Sequence, residues 1–140
     1  MIDFQRLCRA LVVCALVLTG CSDKNKDQVA AAIEAAKHDP RVAQLDVQPY
    51  VDRKIAKICI QGPYNTKELF EEQVKQKVDG FSWVDDGFNI VWLFLSDGTS
   101  FQVKIDRGMD RSEKSSRCSL ASKVFFERKE SGTVLFYLRE

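Results

Sequence analysis

Histidine is nearly missing from this 140-residue chain; His38 is the single one. That excludes most familiar catalytic arrangements, because no Ser-His-Asp or Cys-His pair can be assembled without it. His38 stands beside Asp39 near the end of an expected helix. A general base there is conceivable, since histidine titrates near neutrality. A polar side chain interacting with the helix dipole accounts for it better. An excess of one charge is missing too. With 21 Lys+Arg against 20 Asp+Glu, the chain lacks the basic surplus of a nucleic-acid binder. It also lacks internal repeats, low-complexity stretches and any cofactor motif. No calcium loop is present: Asp85-Asp86-Gly87 is turn chemistry, without the spaced oxygen ligands a cation needs. No cofactor and no metal are expected.

The one long apolar run is short for a membrane. Residues 10–18 are uncharged and apolar, preceded by Arg6 and Arg9. A bilayer core needs about 20 such residues, whereas the apolar part of an export signal needs about 7–15. The run ends in Leu18-Thr19-Gly20-Cys21, small residues followed at once by cysteine. This segment resembles a bacterial lipoprotein signal with its lipobox. The resemblance implies that residues 1–20 are removed, that Cys21 receives a diacylglycerol on sulfur, and that its new amino group is acylated. It also implies a protein of the cell envelope, held to the membrane through the lipid on Cys21. Ser22 is not the aspartate that retains enteric-type lipoproteins in the inner membrane, so an outer-membrane position facing the periplasm is expected.

That address changes the counting. Residues 1–20 hold Arg6, Arg9 and Asp3, so the remainder carries nineteen charges of each sign. Of five cysteines, Cys8 and Cys14 leave with the signal, and Cys21 is the lipid site. Cys59 and Cys118 remain. An even pair in an oxidising compartment suggests a disulfide; two separate buried thiols or a metal pair are the alternatives. Two thiolates without a nearby histidine make a poor zinc site.

Residues 21–27 are polar and read as a lipidated tether to one domain over 28–140. A helix is expected over 27–37, with Val29, Ala32, Ile33 and Ala36 on one face. Asp39-Pro40 stops it, and residues 41–46 suit one further helical turn. Residues 54–60 read as a strand. A second helix is expected over 66–78, capped by Asn65 or Thr66, with Phe70, Val74 and Val78 as its stripe and Gly80 after its end. The rest reads as β structure: 81–84, then 88–95, then 99–105 with Phe101, Val103 and Ile105 alternating. Asp-Gly turns between them indicate antiparallel hairpins. Residues 107–117 read as a polar loop, and 119–128 with 133–139 as a last hairpin. The expected class is α+β: two N-terminal helices flanking a strand, then hairpins forming one sheet of five to six strands with a helix packed on it.

Five side chains are candidates for partner binding. Trp83 and Trp92 would be interface anchors if they face solvent. Arg107, Arg111 and Arg117 give their loop a cationic bias, and loops often carry function. The expected function is a protein-binding module of the envelope, of an immunity, inhibitor, exclusion or assembly-accessory type, without catalysis. A carrier of a small hydrophobic ligand would instead need an apolar cavity under the second helix. A wall- or lipid-acting enzyme would need a cleft of convergent acids with raised pKa values.

Overall fold

The computed structural model describes residues 21–84, 88–105 and 109–140. The signal-like segment 1–20, residues 85–87, expected to form a turn, and Arg107 lie outside them. Among the described residues are two α-helices and eight strands in two four-stranded sheets. The chain is therefore mixed α and β, with two sheets in place of the expected one.

Helix α1 spans Cys21–His38. It is rich in alanine, the best helix former, and it buries Val29, Ile33 and Ala36. Residues 21–27 are helical rather than a loose tether, because Asn25 is buried and its amide donates to Asp52 Oδ1 at 2.6 Å. The far end is stopped by a residue from the other end of the chain. Arg128 donates to the carbonyls of Ala36, Lys37, Asp39 and Val42 at 2.6–3.2 Å. A cation there meets both the carbonyls at the end of the helix and the negative end of its dipole.

Strand β1 (Gln44–Asp46) occupies the segment expected to be a helical turn. It becomes a strand because β7 (Lys123–Arg128) supplies its backbone partners, Gln44 opposite Phe125 and Asp46 opposite Lys123. A 3₁₀ turn at Gln48–Tyr50 leads to β2 (Ile55–Gln61). Helix α2 covers only Lys67–Val74. Thr66 caps it by accepting from Leu69 N–H at 3.2 Å, while Asn65 turns back to accept from Gly62 N–H at 2.9 Å. The helix ends before the expected Val78 because Lys75 is left-handed (φ 59°). Two groups hold this early end. Lys57 donates to the Val74 carbonyl at 2.8 Å. The buried Glu71 carboxylate accepts from Val78 N–H at 2.9 Å and from Lys77 at 3.0 Å.

Strands β3 (Asn89–Leu95) and β4 (Ser100–Ile105) follow, then β5 (Met109–Arg111), β6 (Cys118–Ser119), β7 and β8 (Val134–Tyr137). One sheet has the order β4-β3-β2-β6, the other β1-β7-β8-β5. The expected loop 107–117 contributes β5, which pairs in parallel with β8. Residues 81–84 form no strand.

Sheet β4-β3-β2-β6 lies at the centre, which explains why β3 is buried at all seven positions. Val91, Leu93 and Leu95 face the larger core with α1, Val124, Phe126 and Phe136. Ile90, Trp92 and Phe94 face the smaller core with Phe70 and Val74 of α2. A strand covered on both faces reads as a continuous apolar run. In β2 the register slips between Ile55 and Lys57. That extra residue lets Ile55, Ile58 and Ile60 all reach the larger core.

Cys59 and Cys118 sit opposite each other in β2 and β6, with Cα atoms 4.0 Å apart, and form a disulfide. Their side chains belong to the smaller core. The bond fixes a two-residue strand that would otherwise have little to hold it.

Candidate functional site

The site grows from the exit of β2. Gln61 is fully buried there. Its Oε1 accepts from Trp92 Nε1–H at 2.8 Å, and its Nε2 donates to the Ser82 carbonyl at 2.7 Å. Both ends of one amide are thus used, one inward and one toward the segment carrying Trp83. Gln102 adds a second tie, donating to the Gly80 carbonyl and to Ser82 Oγ. Val84 is buried on one side of this segment, and Phe81 packs near Phe70 on the other. Trp83 between them points outward and is 59% exposed.

Tyr64 completes an aromatic pair. It lies in the loop from β2 to α2, at φ 60°, a conformation that costs a non-glycine residue roughly 1–2 kcal/mol. Its N–H donates to the Val84 carbonyl at 2.9 Å, and its ring meets Trp83 edge-on with centroids 5.9 Å apart. Tyr64 is 54% exposed. Two large rings are therefore held at the surface by backbone bonds.

Arg117 borders the same loop. Its Nη1 donates to the Ile60 carbonyl at 3.0 Å, and its own carbonyl accepts from Ile60 N–H at 2.9 Å. A β-carbon placed on Gly62 would lie 3.7 Å from Asn65 Oδ1 and 3.9 Å from Arg117 Nη1. The guanidinium thus overhangs the loop that carries Tyr64. Burial first, and then the nearby Arg111, pull the Arg117 guanidinium below its usual range. Arg111 ends β5 and is half-buried.

The structure brings Trp83 and Arg117 to the loop that carries Gly62 and Tyr64, while Arg111 lines a separate concavity with Ser112, Lys114, Glu127 and Lys129. It removes Trp92 from the surface set: that ring is fully enclosed against Phe70 and Phe94 and is hydrogen-bonded to Gln61. Arg107 lies outside the described residues. Cys21 is the first residue of α1. His38 closes that helix, with Nε2 and Glu34 Oε1 2.8 Å apart. Sequence reasoning missed Tyr64, Gln61 and Arg128. Gln61-Gly62-Pro63 was legible as the end of a strand, but the ring contact of Tyr64 and its backbone bond depend on Trp83 and Val84, far along the chain.

Other concave features are polar and open. A groove of about 770 Å³ is lined by Lys37, His38, Arg128 and Lys129, among others. Its cations are already engaged, Arg128 with carbonyls and Lys129 with Glu127 at 2.8 Å. The concavity against α2, about 350 Å³, is lined by Glu68, Glu71, Glu72, Lys75, Gln76 and Lys77. Several acids are held below their ordinary pKa, which keeps them ionised. Asp97 is lowered to about 2, first by the Thr99 hydroxyl and amide and then by Arg53. Glu127 is lowered to about 2 by Lys129, Ser112 and Lys114. Among the described residues no cluster of three or more His, Cys, Asp or Glu could hold a metal ion. No described helix is long and apolar enough to cross a membrane. Comparison with protein-family models, curated proteins and solved structures finds no match.

Proposed function

We propose that this chain is a small envelope lipoprotein, anchored through Cys21, that acts as a protein-binding module and not as an enzyme. The observation that carries the reading is the exposed Tyr64–Trp83 pair, braced by Gln61, Gln102 and Val84 and bordered by Arg117. Tryptophan, tyrosine and arginine are the residue types that anchor protein interfaces. Bracing two rings at the surface lowers the entropy lost when a partner covers them. The module belongs to the immunity, inhibitor, exclusion or assembly-accessory kind, at the outer membrane and facing the periplasm.

The placement of the site suits such a role. Helix α1 starts beside Asp52, just before β2 begins, while the aromatic pair follows the exit of β2. The seven residues of β2 span about 20 Å. The lipid and the rings would therefore stand at opposite ends of the domain.

Two measurements test this. Cys21→Ser should move the protein from the membrane fraction to the soluble fraction; unchanged fractionation would refute the anchor. A photoreactive benzoylphenylalanine at position 83 should give a discrete protein adduct in cells, while one at position 130, in the β7–β8 turn, should not. Equal labelling, or none at 83, would refute the binding surface.

A further inference from the structure

We infer that the folded domain rests directly on the phospholipid surface, through the Pro49–Tyr50 turn beside the start of α1. The inference rests on the lipid anchor at Cys21 and goes beyond it, since an anchor on a loose tether would leave the domain free of the bilayer.

The distance follows from where the fold begins. Helix α1 starts at Cys21 itself. Asn25 already belongs to the folded domain, buried and bonded to Asp52 at 2.6 Å. Four residues of helix rise about 6 Å. The polar layer on one side of a bilayer is about 5–8 Å deep. With acyl chains on Cys21 in the hydrocarbon, Asn25 and its partner Asp52 stand about one headgroup depth away, whatever the tilt of the helix. No length of chain remains to lift the domain clear.

The surface at that depth suits a bilayer. Lys24 and Gln28 of α1 share a concavity of about 250 Å³ with Pro49, Tyr50 and Asp52. Pro49 and Tyr50 are exposed. Pro49 has no N–H to be stripped of water. Tyrosine, with an apolar body and a polar tip, is a residue of membrane interfaces. The turn is braced from within by Gln48. Its Nε2 donates to the carbonyls of Val51 and Arg53 at 3.4 and 2.9 Å, and its Oε1 accepts from Ile55 N–H at 2.9 Å. Charges of both signs stand at this end. Arg53 lies 3.5 Å from Asp52 and 2.9 Å from Asp97, and Lys24 and Lys54 are exposed. Such a surface does not depend on acidic lipid. The anchor keeps it at high effective concentration beside the headgroups, so a weak contact suffices.

The test uses the lipidated protein, extracted in detergent and returned to phosphatidylcholine vesicles. Tyr50→Cys receives a nitrobenzoxadiazole label. Cys59 and Cys118 are closed on each other and Cys21 carries the lipid, so the label enters only at the new thiol. Glu130→Cys is the control, two positions from the arginine that caps the far end of α1; that 18-residue helix is about 27 Å long. A spin label on the lipid headgroup should quench position 50 about threefold more strongly than position 130. Lys24→Cys serves if Tyr50→Cys does not fold. A flexible Gly-Ser spacer of about twelve residues, inserted after Ser22, should leave the protein on the vesicles and abolish the difference. Vesicle-bound protein quenched no more at 50 than at 130 would overturn the inference and leave the anchor standing. So would quenching at 50 that the spacer does not change. Protein that does not bind the vesicles would overturn both.

Discussion

The Gln61–Trp92 bond offers a demanding test of how the aromatic surface is held. Gln61→Leu keeps side-chain size but leaves the enclosed Trp92 N–H without an acceptor. An orphaned buried donor costs roughly 1–3 kcal/mol. The Ser82 carbonyl also loses its donor. Ser82 is exposed, so water replaces much of that bond, and the extra cost is about 0.5–1.5 kcal/mol. The single variant should therefore lose about 2–4 kcal/mol. Trp92→Phe leaves the Gln61 oxygen unpaired and opens space beside Phe70 and Phe94, for a similar loss. Combining the two removes donor and acceptor together. The double variant should then be more stable than the sum of the singles predicts, with a coupling of about 1–3 kcal/mol. Urea unfolding followed by far-ultraviolet circular dichroism measures all four proteins without relying on tryptophan emission. With a slope near 2 kcal/mol/M, each single variant should shift the midpoint by about 1–2 M. The double variant has Trp83 as its sole tryptophan, and acrylamide should quench it faster than in Trp92→Phe alone, because Ser82 is no longer tied down. Losses that add to within about 0.5 kcal/mol, with unchanged quenching, would refute the reasoning.

Three further outcomes follow from described contacts. Replacing Cys59 and Cys118 together by alanine should cost about 4 kcal/mol, from the entropy of a loop closed across 59 positions. A loss under about 1 kcal/mol in chemical denaturation, or free thiols in non-reduced peptide mass analysis of envelope-localised protein, would contradict this. Arg128→Met keeps the aliphatic stem but frees four carbonyls and should cost about 2–4 kcal/mol; Arg128→Lys should recover only part, having three donors and no planar fork. Asp97 has its folded pKa lowered to about 2 by Thr99 and Arg53, against about 3.9 in an unfolded chain. Its stabilisation is therefore present above pH 4 and lost as pH falls through 2. Asp97→Asn should lower the urea midpoint at pH 6 by an amount that vanishes near pH 2, and a pH-independent difference would sink the assignment.

Local patterns were legible in the sequence and long-range pairings were not. The Val29, Ile33 and Ala36 face and the alternation of β4 followed from spacing, and the Cys59–Cys118 pair from the cysteines left once the lipobox resemblance set Cys8, Cys14 and Cys21 aside. The single-sheet expectation failed because strand partners are far apart in the chain. β1 finds β7, β6 finds β2, and β5 finds β8 in parallel. No local signal distinguishes such a segment from a loop or a helical turn. The early stop of α2 was hidden for a similar reason, since Lys57 and Glu71 create it through contacts across strands and loops. The two tryptophans illustrate the limit at the site. Alternation normally separates an inward from an outward residue. In β3 both faces are covered, so parity says nothing about Trp92. Trp83 lies in no strand at all, and its exposure comes from the ties on Gly80 and Ser82.

The four carbonyls gathered by Arg128 also set the order in which the molecule can be built. The donor lies 86–92 positions after the groups it caps. A ribosome releases α1 early, yet that helix waits for its stop until β7 has been made. β1 waits for the same strand, its partner in the sheet. Contacts between distant parts of a chain form slowly because a long loop must close first. A polypeptide cut short before Arg128 would hold an unfinished first helix and an unpaired first strand. Such a chain should remain open to proteolysis, so that only nearly complete copies reach a durable folded state.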